Sequence, residues 1–180
     1  SICGHRGIVS RTGYTGEDGC ELIVPAANAE EVWTRVLEAG KDQGARAVGL
    51  AARDTLRLEA AMPLYGHELN ENVDPLTADL AFAVNLPGRE FVGREALEKI
   101  KTTPNRPRRV GLELAGKRIP REHYPVVAGG EKIGEVTSGT FSPTLQKSIA
   151  MAYVQQQYAE PGTELAVDIR GAAEPCRVVK

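Results

Sequence analysis

At 180 residues, with 42% hydrophobic and 26% charged residues, the chain has the make-up of a soluble globular protein of one large or two small domains. A formal net charge of −2 with scattered Lys and Arg argues against nucleic acid as a partner, and the sequence holds no apolar run near the roughly 20 residues that span a membrane. Cys3, Cys20 and Cys176, like His5, His67 and His123, are dispersed without zinc spacing, so no metal is expected, and so few cysteines point to a reducing compartment.

The opening Ser1-Ile2-Cys3-Gly4-His5 carries no basic or apolar leader pattern and reads as a cut inside a longer protein. Residues 8–24 predict two strands joined by a Gly-rich turn, with Cys20, Leu22 and Val24 alternating on one face of the second. Asn28 followed by Glu31 has the form of an N-cap with a capping box. Ala29, Val32, Trp33, Val36 and Leu37 then recur at helical spacing, predicting a helix over 29–41 with Trp33 in the core. A second helix is expected over 50–61, stopped before Pro63, and a third over 94–101. Arg106, Arg108 and Arg109 follow in a Pro-containing segment that reads as a solvated connector.

Past that connector the pattern changes to short strands with tight turns, over 110–114, 126–127, 132–137, 149–154, 164–169 and 176–179. Close spacing without a long helix predicts a small antiparallel sandwich or barrel. The fold class is therefore α+β, with domains expected at 1–103 and 108–180.

Three glycines, Gly13, Gly16 and Gly19, resemble a phosphate loop, but that fingerprint opens a helix and here a strand follows. Glu21 shares a strand face with Ile23, and both faces look partly covered, which is costly for a carboxylate without donors. It is either an edge-strand Glu in water or in an ion pair, or a carboxylate that receives two parallel N–H donors from a flat heterocycle. Arg53 and Arg57 share a helix face beside Asp54. They read either as an Arg–Asp network or as one guanidinium turned into a cleft toward an acceptor-rich ligand. Tyr14 fits stacking or plain packing. His67, in a loop without an identifiable partner, reads as surface. Residues 138–143 read as a polar loop with no base to activate a serine.

Six stretches taken together resemble the T protein family of the glycine cleavage system: GYTGEDGCELIVP (13–25), GLAARDTLRLEA (49–60), PLYGHEL (63–69), RRVGLEL (108–114), GEVTSGTFSPTL (134–145) and IAMAYV (149–154). They fall in the family's order and cover nearly the whole chain. The resemblance implies a tetrahydrofolate-dependent aminomethyltransferase. Such an enzyme takes an aminomethyl group from the lipoyl arm of H protein, releases ammonia and forms 5,10-methylenetetrahydrofolate. It implies that Glu21 hydrogen-bonds the pterin, that Arg53 belongs to the same folate site and that Tyr14 lines it, with Asp54 and Arg57 structural. It also implies that the family's catalytic aspartate lies in an N-terminal half this chain lacks and that a further folate contact lies in a tail beyond Lys180. The chain alone is then expected to be inactive. Folate-linked demethylases, the sarcosine and dimethylglycine oxidising enzymes and a non-enzymatic iron–sulfur assembly factor share the architecture. The Glu21–Arg53 pair and the Glu-Asp-Gly form of the first motif favour the T protein. Bacterial cytoplasm and mitochondrial matrix both fit, with the bacterial cytoplasm preferred.

Overall fold

The computed structural model describes residues 1–179, which fall into two compact units that divide between Met62 and Pro63. In the first, β1 (Ile8–Ser10) and β2 (Glu21–Ile23) form a two-stranded antiparallel ribbon in the register Ile8↔Ile23, Val9↔Leu22, Ser10↔Glu21. The two strands were expected, but the connection between them runs over residues 11–20 rather than through a tight Asp18-Gly19 turn. α1 (Ala29–Gly40) follows, then α2 (Leu50–Glu59), which is closed by Ala61 in the left-handed region at φ +55°, with the Met62 amide donating to the Arg57 carbonyl at 2.8 Å and the Ala61 amide to the Leu58 carbonyl at 3.1 Å.

Two local expectations for α1 fail. Asn28 sits at the N-cap position but makes no side-chain cap, because its own backbone is already helical at φ −107°, ψ −2° at the end of a 3-10 turn over Ala26–Asn28. Glu31 does not reach back to it and instead pairs with His5 Nε2 and Arg35 Nη2, both at 2.9 Å. Trp33 is not core. It is 55% exposed, whereas Val32 on the adjacent position is buried. Helical periodicity identifies an apolar stripe but not what covers it, and only part of this stripe is covered here.

The second unit opens with turns and α3 (Arg94–Thr102), then builds a barrel. Its strands are β3 (Arg108–Leu114), β4 (Pro125–Ala128), β5 (Glu131–Ser142), β6 (Lys147–Val154), β7 (Glu164–Ile169) and β8 (Ala172–Val179). They close in the order β3-β6-β5-β4-β7-β8, with β8 hydrogen-bonded back to β3. Closure removes both sheet edges, so these six strands offer no unpaired backbone for another chain to extend. Period-two alternation fills the barrel: Val110, Leu112 and Leu114 of β3 point inward and meet Val126, Val136, Ala152, Val167 and Val178. Each fully buried aliphatic side chain of this set contributes on the order of 1.5–3 kcal/mol. β5 and β6 approach so closely that a Cβ on Gly134 would stand 2.3 Å from the Tyr153 carbonyl oxygen.

The barrel and the α+β class agree with the sequence reading, with two corrections. Residues 138–142 are the end of β5, not a loop, and Ser138 and Ser142 are buried in it. The run Arg106–Arg109 is no solvated connector. Arg108 and Arg109 start β3, and Arg109 donates from Nε to the Ala78 carbonyl at 2.8 Å. Tyr153 likewise donates its hydroxyl to the Glu68 carbonyl at 2.8 Å. These contacts hold residues 63–103 to the barrel. Asp74 helps shape that segment by accepting from the Leu76 and Thr77 amides at 2.9 Å. Burial opposes its ionisation, but the Thr77 and Leu76 hydrogen bonds and the Arg106 charge outweigh this and hold its carboxyl below the usual range.

Candidate functional site

The long β1–β2 connection and the start of α2 enclose a cavity of about 470 Å³ in the first unit, within the ~300–1,000 Å³ range of small-molecule sites. Tyr14, Glu21 and Arg53 all line it, so the three residues singled out in the sequence share one space. Val48, Leu50 and Leu56 add apolar wall. The sequence reading did not select these three. Val48 and Leu50 are exposed apolar residues at 72% and 83%, and such exposure is invisible before folding.

Gly16 allows the connection to close onto α2. Its φ is +75°, in the left-handed region, and a Cβ there would lie 2.6 Å from the Ala60 Cβ. The turn beside it presents Tyr14, whose ring carries the Arg53 guanidinium on its face with the central carbon 4.4 Å from the ring centroid. Such cation–π stacking is worth ~0.5–1 kcal/mol at an exposed position and fixes the plane of the guanidinium. Arg53 has no carboxylate partner among the described residues. Asp54, its neighbour, is taken by Arg57, which is 1% exposed and donates from Nε to Asp54 Oδ1 at 2.8 Å and from Nη1 to the Met62 carbonyl at 3.2 Å. The two arginines one turn apart therefore divide the work: Arg57 anchors the helix and Arg53 faces the cavity.

Glu21 is oriented from the opposite wall. Thr12 Oγ1 lies 2.9 Å from Ser10 Oγ and also contacts Glu21 Oε2. A hydroxyl carries one proton, so Thr12 donates to the carboxylate while Ser10 donates to Thr12. Glu21 Oε1 keeps its acceptor capacity, with no donor among the described residues. Thr12 was not foreseen, since nothing in its residue type marks it as a carboxylate positioner. The expected cover over both faces of β2 is absent: Cys20, Glu21, Leu22 and Ile23 are all exposed. A ribbon of two three-residue strands has too little surface of its own to bury either face. The case for Glu21 as a ligand group consequently rests on the cavity, not on a burial penalty.

His67 differs from expectation in one respect. It is exposed, but its Nδ1 lies 3.1 Å from Glu122 Oε1, both residues belonging to the second unit. Among the described residues no group of three or more His, Cys, Asp and Glu is placed to hold a metal ion.

Comparison with known proteins places the chain among relatives. Residues 1–87 match the family model of the GCVT N-terminal domain, and residues 108–180 match that of the glycine cleavage T-protein C-terminal barrel domain. An aminomethyltransferase of Symbiobacterium thermophilum is 52% identical over 174 residues, 96% of this chain and 46% of its own length. One of Streptomyces avermitilis is 53% identical over 184 residues, 99% of this chain and 50% of its own. The chain thus spans about half the length of the curated relatives it matches. The crystal structure of glycine cleavage system aminomethyltransferase T from Bartonella henselae superposes with a TM-score of 0.87 at 35% identity, over 96% of this chain and 48% of that one.

Proposed function

The chain belongs to the glycine cleavage T-protein family, and on that premise we propose that it forms the pterin-recognising part of a tetrahydrofolate-dependent aminomethyltransferase. The flat edge of a pterin carries an N3–H and a 2-amino group side by side. Glu21 offers Oε1 and the remaining lone pair of Oε2 as parallel acceptors for that pair, and Thr12 holds the carboxylate in place. Arg53, stacked on Tyr14, presents donors in a fixed plane to the acceptors of the same ring system. Val48, Leu50 and Leu56 receive its apolar face. The reaction moves the carbon of an aminomethyl group from the lipoyl sulfur of H protein to tetrahydrofolate. The amino nitrogen leaves as ammonia, and the carbon bridges N5 and N10.

The observation that carries this reading is one cavity lined both by a carboxylate with an open acceptor and by a guanidinium with no protein anion among the described residues. Recognition, not proton transfer, is the role assigned to these residues. On this account the 180-residue chain binds tetrahydrofolate but produces no methylenetetrahydrofolate with aminomethyl-loaded H protein. Its bacterial relatives support a place in the bacterial cytoplasm. We also propose that the family domains meet at 103–108, with residues 63–103 belonging by descent to the first domain although they pack on the barrel.

The test is folate affinity. Glu21→Gln exchanges one acceptor for a donor without changing shape, and tetrahydrofolate binding should weaken by about 2 kcal/mol, roughly thirtyfold. An unchanged affinity, with stability also unchanged, would reduce Glu21 to a surface residue and remove the reading.

A further inference from the structure

A second pocket, of about 270 Å³, lies in the other unit where residues 76–87, the end of α3 and the entry to β3 meet. Among the described residues, Lys101, Arg106 and Arg108 line it together with one carboxylate, Asp79, so its charge is positive. Leu76, Val84 and Leu86 supply the apolar part of the wall. Arg106 is the unusual member. Its side chain is only 14% exposed, and Nε and Nη1 are buried without a hydrogen-bond acceptor among the described residues. The nearest carboxylate, Asp74, stands 3.9 Å from Nη1, beyond hydrogen-bond distance, and its Oδ1 already accepts from two backbone amides. A nearly buried guanidinium normally meets carboxylate or carbonyl oxygens. This one has its charge balanced at a distance only, and two further cations stand around the adjoining space.

We propose that this pocket binds an oxyanion, a phosphate or carboxylate group borne on a short apolar stem. The three cations select negative charge, and the donor-rich Arg side chains suit the planar or tetrahedral oxygens of such groups. Leu76, Val84 and Leu86 accommodate the stem. The volume lies just under the ~300 Å³ at which sites for larger ligands begin, which limits the occupant to the end of a molecule or a small acid. None of the lining residues takes part in the cavity at Glu21, so the two sites are independent.

Isothermal titration of the full chain with inorganic phosphate and, separately, with butyrate tests this, with ionic strength matched by sodium chloride. At least one should bind saturably at one site with a dissociation constant of ~1 mM or lower. Saturation by phosphate alone assigns a phosphate-type ligand, by butyrate alone a carboxylate-type ligand, and by both a shared oxyanion site. Lys101→Gln, on an exposed position that does not endanger folding, and Arg108→Gln should each weaken binding about tenfold, the loss expected for one charged hydrogen bond. Lys99→Gln, on the same helix but off the pocket, should not. Absence of saturation by either anion, or equal losses from Lys99→Gln and Lys101→Gln, overturns the proposal.

Discussion

Replacing Gly16 by Ala should loosen the candidate site and the unit that carries it. Two costs combine at this position. The left-handed backbone at φ +75° disfavours an L side chain by ~1–2 kcal/mol. The new methyl carbon would start 2.6 Å from the Ala60 Cβ, whereas carbon atoms rest at ~3.5–4.0 Å, so the loop must retreat by about 1 Å at an overpacking cost of ~1–3 kcal/mol. The loop is exposed and can give way, which places the total near ~2 kcal/mol, toward the lower end of these ranges. Gly19→Ala is the internal control, because a Cβ there meets nothing within 4 Å and its φ is ordinary. Urea unfolding followed by Trp33, the single tryptophan and a member of the first unit, reads both variants. Since the retreat carries Tyr14 away from Arg53, tetrahydrofolate affinity should fall in Gly16→Ala, whereas Gly19, which lines the cavity, serves as a control for stability alone. Equal midpoints for the two variants would refute the claim that Gly16 is needed for loop closure.

Three further outcomes follow from the second unit. Burial, opposed by Arg109, pushes the Tyr153 hydroxyl up to about 12. A raised folded-state pKa means this group stabilises fully below its unfolded value near 10 and loses that contribution as pH climbs to about 12. The alkaline unfolding limb should therefore shift in Tyr153→Phe, which also costs about 1 kcal/mol at neutral pH for the lost bond to the Glu68 carbonyl. Burial likewise pushes the Cys176 thiol up to about 12. Iodoacetamide at neutral pH should label exposed Cys20 and leave Cys176 untouched until the barrel unfolds, as peptide mass analysis would show. The isolated barrel, residues 108–180, should unfold cooperatively in a thermal melt, since its core is self-contained. It should be less stable than in the full chain by ~1 kcal/mol for each of the Arg109–Ala78 and Tyr153–Glu68 hydrogen bonds removed. A melt without a transition would show that residues 63–103 are indispensable to it.

The barrel was legible because inward and outward residues alternate cleanly: Val110, Leu112 and Leu114 predicted β3, and the bounds of β7 were read as they stand. β5 was cut short because Ser138 and Ser142 look like loop residues, although small hydroxyls are readily buried in strands. Arg109 was misread because its acceptor is a backbone carbonyl 31 positions away, and no local pattern encodes so distant a partner. In the candidate site, residue type leaves Glu21, Tyr14 and the Arg53–Arg57 pair open, and the family resemblance selects Tyr14, Glu21 and Arg53, which line one cavity. Thr12 and Val48 were not found, since their part comes from position alone. Trp33 and Glu21 share one lesson: alternation and helical spacing name the faces of an element, and only the folded chain shows which of them is covered.

A crystal structure of the tetrahydrofolate complex measures the central claim most directly. The pterin should lie between Glu21 and the Tyr14-stacked Arg53, with N3–H and the 2-amino group each about 2.7–2.9 Å from a Glu21 oxygen. A pterin bound elsewhere, or seated in this cavity with its amino edge turned away from Glu21, would contradict it.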